Sequence, residues 1–381
     1  MNLAVSDWLL EAARVRARRS QQRRAIPVAA GLLDLASNDY LSLSKDPRLI
    51  LAATTALQLS GTGACASRVV SGTLPVHEEL EGELCQLTGQ EAALVFSSGY
   101  LANLGVLGSL GGPNTLIVLD AHCHASLFDA ARLSRSPLIT APHADLAALE
   151  HSLAGRSAKR AVVVVESVYS VLGDLADLSS IAELCARYDA LLLVDEAHGL
   201  GVMGAGRGLV HALGLADLEY LVVTATLSKA LAAQGGVVLA KRMFREQLVN
   251  TARSFIFDTG LAPASAAAAA EACRIIRAEP ERVESLHQIA EQISMGIQLR
   301  KAPGAVQSVV VGGAEQAVEI TAELRNHGIL VGCFRPPSVP DGVSRLRLTA
   351  HAGADQAEVV AATAFLRELI GGNCQRPKDR Q

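Results

Sequence analysis

No lysine in this chain follows a glycine. That removes the phosphate-cradling GxxxxGK[ST] loop, and with it the helicase reading that the tetrad Asp195–His198 (DEAH) would otherwise invite. No two cysteines are spaced as CxxC. The seven of them, at 65, 85, 123, 185, 273, 333 and 374, are scattered and odd in number. They fit reduced thiols in a packed interior, not a disulfide framework or a zinc ribbon. No apolar run approaches the roughly 18 residues that span a bilayer, although 50% of the 381 residues are hydrophobic. The net charge of −4 and the lack of a basic stripe beyond the N-terminus argue against nucleic acid as a partner. The first turns do carry Arg14, Arg16, Arg18, Arg19, Arg23 and Arg24. Asp7 and Glu11 interrupt them, and Val5, Leu9, Ala12 and Ala13 keep an apolar face, so a surface helix is expected there. No signal-peptide core is visible, and a cytoplasmic protein is the expectation.

What is present is a series of short apolar runs that each stop at polar residues. Ala92–Phe96, Thr115–Leu119, Ala161–Val165, Leu191–Val194, Tyr220–Val223 and Gly236–Ala240 are rich in Val and Leu, as strands buried on both faces of a parallel sheet are. Helical stretches are expected over residues 47–60, His77–Thr88, Leu178–Tyr188, Ala264–Ala272 and Pro280–Leu299. Beyond them a smaller α+β unit is expected, with strands Val306–Val311, Ile329–Val331 and Arg345–Thr349 and helices Ala314–His327 and Asp355–Ile370. The length allows two or three domains. The expected division is an N-terminal arm (1–45), a large domain (46–280), a C-terminal α+β domain (281–370) and a frayed tail (371–381). In the arm, Asn38, Asp39 and Tyr40 break the apolar pattern as an exposed loop would.

The chemistry of an open α/β sheet gathers where parallel strands end. Asp195 and His198 follow one strand, and Thr226, Ser228 and Lys229 follow another. A carboxylate, an imidazole, hydroxyls and an amine therefore meet at one sheet edge. That set suits a cofactor with an electrophilic carbon, a basic ring nitrogen and a phosphate. Ser98, Gly99 and Tyr100 sit where a strand turns into a helix, the geometry whose free amides hold phosphate. His122, His124 and Ser126 follow Asp120; the histidines lack a second ligand pair for zinc, and an imidazole stacking on a flat ring is the more economical reading. Arg68, in a loop of small residues, is either an anion contact or an ordinary surface charge. Gly199, Gly201 and Gly204 match GxGxxG, but the acidic tetrad intervenes and Gly206 and Gly208 follow. A loop is expected there, not a dinucleotide-binding turn.

With these residues placed, the pattern resembles the α-oxoamine synthases, a branch of the fold-type-I pyridoxal-phosphate (PLP) enzymes. The likeness runs through ASNDYL, SSGYxAN, the HAS after Asp120, SVYS, LLLVDEAHG, TLSKA and RPPSVP…SRLRLT, and covers nearly the whole chain. It implies an α/β fold, with a mostly parallel seven-stranded sheet between helices and a smaller C-terminal domain. It implies that Lys229 carries PLP covalently, that Asp195 keeps the pyridine nitrogen protonated, that His198 bonds the phenolic oxygen and that His124 stacks on the ring. Ser170 matches another cofactor contact, and Gly99, Tyr100 and Thr226 would hold the phosphate or ring substituents. Thr259 and Gly260 would come from a neighbouring subunit, making a homodimer with shared sites. Arg23 and Thr349 match substrate positions, and Arg347 would clamp the amino-acid carboxylate. The short N-terminus and Arg335-Pro336-Pro337 are most similar to branch members that join L-alanine to a pimeloyl thioester, with a glycine and acetyl-CoA enzyme as the near alternative. Ser42, Ala232 and Ala233 depart from the pattern: relatives commonly have Gly, Gly and Ser there. Ala232 thereby lacks the backbone freedom that glycine allows.

Overall fold

A computed structural model of the chain describes residues 4–23, 25–336, 338–339 and 341–373. Arg24, Pro337 and residues 374–381, which include Cys374 and most of the expected tail, lie outside the described residues.

The strands in chain order are β1 (Leu33–Leu35), β2 (Ala92–Phe96), β3 (Thr115–Asp120), β4 (Leu138–Ala141), β5 (Arg160–Glu166), β6 (Leu191–Asp195), β7 (Leu221–Thr226), β8 (Gly236–Ala240), β9 (Val306–Val310), β10 (Ile329–Phe334) and β11 (Arg345–Thr349). A seven-stranded sheet has the order β2-β8-β7-β6-β5-β3-β4. Its pairs are parallel except those that β8 makes with β2 and β7. Helices cover both faces, so β2, β3 and β8 are buried at every residue, as their unbroken apolar composition requires. The fold-type-I α/β architecture is thus the one observed.

A second, four-stranded sheet has the order β1-β10-β11-β9. Its edge strand comes from the other end of the chain: β1 pairs in parallel with β10, Leu33 opposite Ile329 and Leu35 opposite Val331. The N-terminal segment is therefore built into the C-terminal sheet, and the residues after β1 are carried across to the large sheet. Tyr40, expected in an exposed loop, is fully buried. Its ring supplies the apolar area and its hydroxyl has partners, which is how a tyrosine enters a core at low cost.

Element boundaries differ from expectation in telling ways. β4 and the helices Ala125–Leu133 and Leu146–Ala154 are short, and too little periodicity accumulates in them to stand out. The last helix, Gln356–Asn373, runs into the stretch read as tail. Arg68 is not a surface charge but a buried guanidinium paired with Glu81 at 3.0 Å. The glycine-rich loop is a loop, as expected, and the reason lies in the acidic tetrad. Glu196 accepts from the backbone N–H groups of Leu209 (2.6 Å) and Val210 (3.0 Å). A Cβ at Gly208 (φ 99°) would lie 2.0 Å from the Glu196 carboxylate.

Two departures from the family pattern share one backbone property. Ser42 (φ 53°) and Ala232 (φ 50°) both adopt the left-handed conformation. An L-residue there costs about 1–2 kcal/mol. Ser42 offsets the cost because its hydroxyl accepts from Gly353 N–H at 3.0 Å; Ala232 has no such group. Ala232→Gly is expected to raise stability in urea unfolding by about 0.5–1 kcal/mol, the released strain less the chain entropy of glycine. Ser42→Gly is expected to give no gain. Equal gains at the two positions would contradict the account.

Candidate active site

The carboxyl ends of β2, β3, β5, β6 and β7 share one edge of the large sheet, a consequence of their common direction. Each delivers a polar group within a few residues. The result is a cavity of about 320 Å³ whose wall includes Asn103, His124, Glu166, Asp195, His198 and Lys229. Ser170, Thr226, Gly99 and Tyr100 also face it, so the expected lysine, carboxylate, imidazoles and strand-to-helix turn are brought together.

Asp195, the last residue of β6, is buried. It accepts from Ala197 N–H at 2.8 Å and from Asn103 Nδ2 at 2.9 Å. The same Asn103 amide also donates to Ser126, which ties the helix Gly99–Leu110 to the loop carrying His124. At the start of that helix Ser98 caps Leu101 N–H. The first amides, at Gly99 and Tyr100, have no intrahelical acceptor and face an end of the cavity that the Thr226 and Ser228 hydroxyls also line. Free amides, a helix dipole and two hydroxyls make an anion site. A Cβ at Gly99 would press on Thr226 at 3.1 Å, so only glycine leaves the turn its present closeness. His124 caps the helix Ala125–Leu133 through Ser126 and stands at the mouth of the cavity.

Behind the wall runs a continuous polar chain. Arg347 Nη2 donates to Asn38 Oδ1 (3.0 Å), and the Tyr40 hydroxyl donates to the same oxygen (3.0 Å). Having given its proton there, the Tyr40 oxygen faces His198 Nδ1 at 2.7 Å as an acceptor. His198 then carries its proton on Nδ1, and Nε2 presents a lone pair to Lys229 Nζ at 2.7 Å. Burial, and then the positive charges of Lys229, Arg347 and His124, hold the His198 imidazole well below its ordinary range, which keeps it neutral. Burial likewise pulls the Lys229 ammonium down to about 8, with Asp195 and Glu166 opposing the shift and Arg347 adding to it. Glu166 is pushed well up by burial and by the charge of Asp195. One of its oxygens receives Ser170 N–H at 3.0 Å, while the other has no partner among the described residues.

The remaining expected residues stand elsewhere. Arg347 is one shell back; its Nη1 donates to the Ser170 carbonyl at 3.0 Å, and its Nε is buried without a partner among the described residues. Thr349 is fully buried, its hydroxyl donated to the Ser37 carbonyl at 2.7 Å. Arg23 lines a separate cavity with Arg16 and Arg335 and donates to the Ser338 hydroxyl. Thr259 is exposed, and Gly260 N–H bonds the Ala66 carbonyl; neither lines the cavity of its own chain. A second cavity of about 730 Å³ meets the first at Ser228 and Lys229. Residue reading alone did not pick out Tyr40, Asn103 or Glu166. Asn103 closes the SSGYxAN motif and lies four residues after Gly99, on the same helix face.

The model of aminotransferase class I and II matches residues 30–366. An 8-amino-7-oxononanoate synthase from Mycobacterium leprae (strain Br4923) is 50% identical over 358 residues, covering 94% of this chain and 92% of the relative. Among solved structures, the serine palmitoyltransferase of S. paucimobilis with a bound PLP–myriocin adduct superposes with a TM-score of 0.89 at 27% identity, covering 98% of this chain and 100% of that one. An 8-amino-7-oxononanoate synthase from Francisella tularensis superposes with a TM-score of 0.76 at 25% identity, covering 91% and 100%. This chain belongs to the class I and II aminotransferase family and, within it, to the 8-amino-7-oxononanoate synthases.

The polar chain makes a direct prediction. Tyr40→Phe leaves the His198 N–H without an acceptor in a buried setting, at a cost of roughly 1–3 kcal/mol in urea unfolding. Combined with His198→Gln the two losses are expected to be far from additive. Additive losses would show that the Tyr40–His198 bond contributes nothing.

Proposed function

We infer that the chain catalyses the PLP-dependent, decarboxylative condensation of L-alanine with a pimeloyl thioester, either pimeloyl-CoA or the carrier-protein form. The products are 8-amino-7-oxononanoate, CO2 and the free thiol, a step of biotin biosynthesis. The observation that carries this reading is the convergence of Lys229, His198 and Asp195 on one cavity in a chain half identical to a named synthase.

The residues fit the cofactor. The anion site at Gly99, Tyr100, Thr226 and Ser228 suits the phosphate, and the buried Asp195 carboxylate suits a ring nitrogen that must stay protonated. The unpartnered buried atoms Asn103 Oδ1, Glu166 Oε1 and Thr224 Oγ1 leave polar capacity in the wall for a polar ligand. When bound, PLP supplies an electron sink for a carbanion at the amino-acid α-carbon. Lys229 would hold PLP covalently, and its Nζ would serve as the base. Its lowered proton affinity leaves neutral amine near pH 7 to take the α-proton at Nζ. His198, kept neutral beside Lys229, would bond the phenolic oxygen of the cofactor when PLP is bound. His124, on the cavity wall, would stack on the ring. Ser170 lines the wall against which the alanine carboxylate would rest, and Arg347, one shell back, holds that wall through the Ser170 carbonyl. The wider cavity that meets the first at Lys229 gives the acyl chain a route to the reacting carbon. Arg23, with Arg16 and Arg335 around it, is the candidate for the distal pimeloyl carboxylate, and Thr349 acts by supporting the Ser37 backbone.

The assay that tests this compares L-alanine and glycine, each with pimeloyl-CoA and with acetyl-CoA. Burying five more methylenes, at about 0.8 kcal/mol each, favours the pimeloyl donor by about 4 kcal/mol, roughly a thousandfold in kcat/KM. The alanine methyl is expected to add roughly 10- to 200-fold. Higher kcat/KM for glycine with acetyl-CoA would assign the sister reaction instead.

A homodimer with shared sites belongs to the same reading. Leu51, Leu59, Val70 and Phe257 are 68, 81, 79 and 70% exposed, apolar side chains that a partner subunit could cover. Thr259 stands exposed next to it in sequence, free to complete a neighbour's cofactor site with Gly260. Mixing inactive Lys229→Ala with inactive Thr259→Asp is expected to restore part of the activity, because one site of each heterodimer carries neither lesion. An active monomer in sedimentation would refute the shared site. Cytoplasmic residence is proposed on the unpaired state of the described cysteines, as thiols are kept in a reducing compartment. Among the described residues no helix is long and apolar enough to cross a membrane.

A further inference from the structure

The histidine run after β3 has a second member that the cofactor site does not use. His122 lies flat against His143, ring centroids 3.9 Å apart and planes within 6°. His143 Nδ1 is 2.9 Å from Asp120 Oδ1, at the end of β3, and its Nε2 is 2.8 Å from Asp174 Oδ2. A neutral imidazole has one N–H and one bare lone pair. With a carboxylate oxygen at each nitrogen, the neutral ring would set that lone pair against an anion. Both contacts are satisfied only by the imidazolium, with one N–H donated to each aspartate.

Asp174 closes the turn that follows β5. Tyr169 N–H bonds the Asp174 carbonyl at 2.9 Å, Gly173 N–H bonds the Tyr169 carbonyl, and Val168 bridges Leu175. Ser170, inside this turn, lines the cofactor cavity, and its carbonyl holds Arg347. The far side of the turn is thus fastened to the His143 loop and the near side faces the chemistry.

We propose that His143 is a positioning residue, a clamp between Asp120 and Asp174 that holds the Val168–Leu175 turn so that Ser170 keeps its place at the substrate wall and Arg347 its place behind it. The groups facing the ring are the two aspartates, the stacked His122 and the edge of Tyr169, with Asp341 and Arg345 next to His122. Burial alone would lower the proton affinity of His143; the two carboxylates outweigh it and lift the ring to about 9. His122 is held below its ordinary value by burial and by the charge on its neighbour, so the stack pairs one charged ring with one neutral ring. A folded value above the ordinary 6.5 contributes stability that is full below pH 6.5 and is lost as pH rises through about 9.

The test uses the full chain with 15N-labelled histidine, without cofactor, so it does not depend on which reaction the enzyme runs. Long-range 1H–15N spectra at pH 7.5, assigned by loss of signal in His143→Gln, are expected to show both His143 nitrogens protonated, with titration near 9. Asp174→Asn, which keeps the shape of the site, is expected to move that titration down by about one pH unit. The melting-temperature gap between wild type and His143→Gln is expected to narrow between pH 7 and pH 10. The positioning role rests on the alanine reading above and is read separately. His143→Gln and Asp174→Asn are each expected to raise KM for L-alanine roughly tenfold, with kcat reduced less than about threefold. A bare His143 nitrogen at pH 7.5, or a titration unmoved by Asp174→Asn, would overturn the clamp. An unchanged KM in both variants would overturn its positioning role.

Discussion

The hydrogen bond between Tyr40 and His198 is the joint on which the rest of the site depends. His198 comes from the large sheet, three residues into the loop after β6. Tyr40 comes from the segment that follows β1, a strand of the small sheet. Through Asn38 the same contact reaches Arg347 on β11. Two sheets and three distant stretches of sequence are thus fixed by one chain of donors and acceptors, each used in a single direction. Buried polar groups of this kind are expensive when half satisfied and specific when fully satisfied. The small sheet cannot slide against the large one without leaving a donor or acceptor in this chain unpaired.

Electrostatics explain why the cavity is suited to an anionic aromatic ligand with a cationic ring. Asp195 and Glu166 face each other across paired strands, Glu166 opposite Asp195 in register. Two buried carboxyl groups at that spacing do not ionise independently. Asp195 accepts from an amide and a backbone N–H, while Glu166, with one oxygen unpartnered among the described residues, is driven towards its neutral form by burial and by the charge of Asp195. One group accepts two hydrogen bonds at the cavity wall, and the other is left as a carboxylic acid beside Ser170. The environment separates two chemically similar groups into two roles.

How far the sequence could be read depended on the kind of signal. Strand cores such as Leu191–Asp195 declared themselves through composition, and the polar residues after them were placed correctly because strand direction dictates where they gather. Lys229, Asp195, His198 and His124 were legible for that reason. Tyr40 was not. A tyrosine between Asp39 and Leu41 looks like a loop break, and only the return of the arm to the C-terminal sheet shows that it lies in the core. Arg68 misled in the same way, because its partner Glu81 is on the neighbouring helix and no local pattern announces the pair. Arg347 and Thr349 were found through family likeness, but their orientation was not. Thr349 faces the Ser37 carbonyl and supports the site from behind, a role that spacing along a strand cannot reveal. The clamp at His143 needed three loops to be placed before its two carboxylates could be seen together.

Lys229 and His143 also act on stability in opposite senses. In the cofactor-free chain, the ammonium of Lys229 is held near 8 against an ordinary 10.5. The unfolded chain then binds more protons between those values, and stability rises with pH across that window. His143 has the reverse sign: its contribution is present below 6.5 and is lost through about 9. The windows overlap between roughly pH 8 and 9, where a gain at Lys229 runs against a loss at His143. The site residue therefore costs stability in the range where the clamp still supplies it. A buried amine ready to act as a base is a destabilising feature by itself, and it is tolerated because charged groups outside the cavity, His143 with its two aspartates among them, hold the surrounding loops in place.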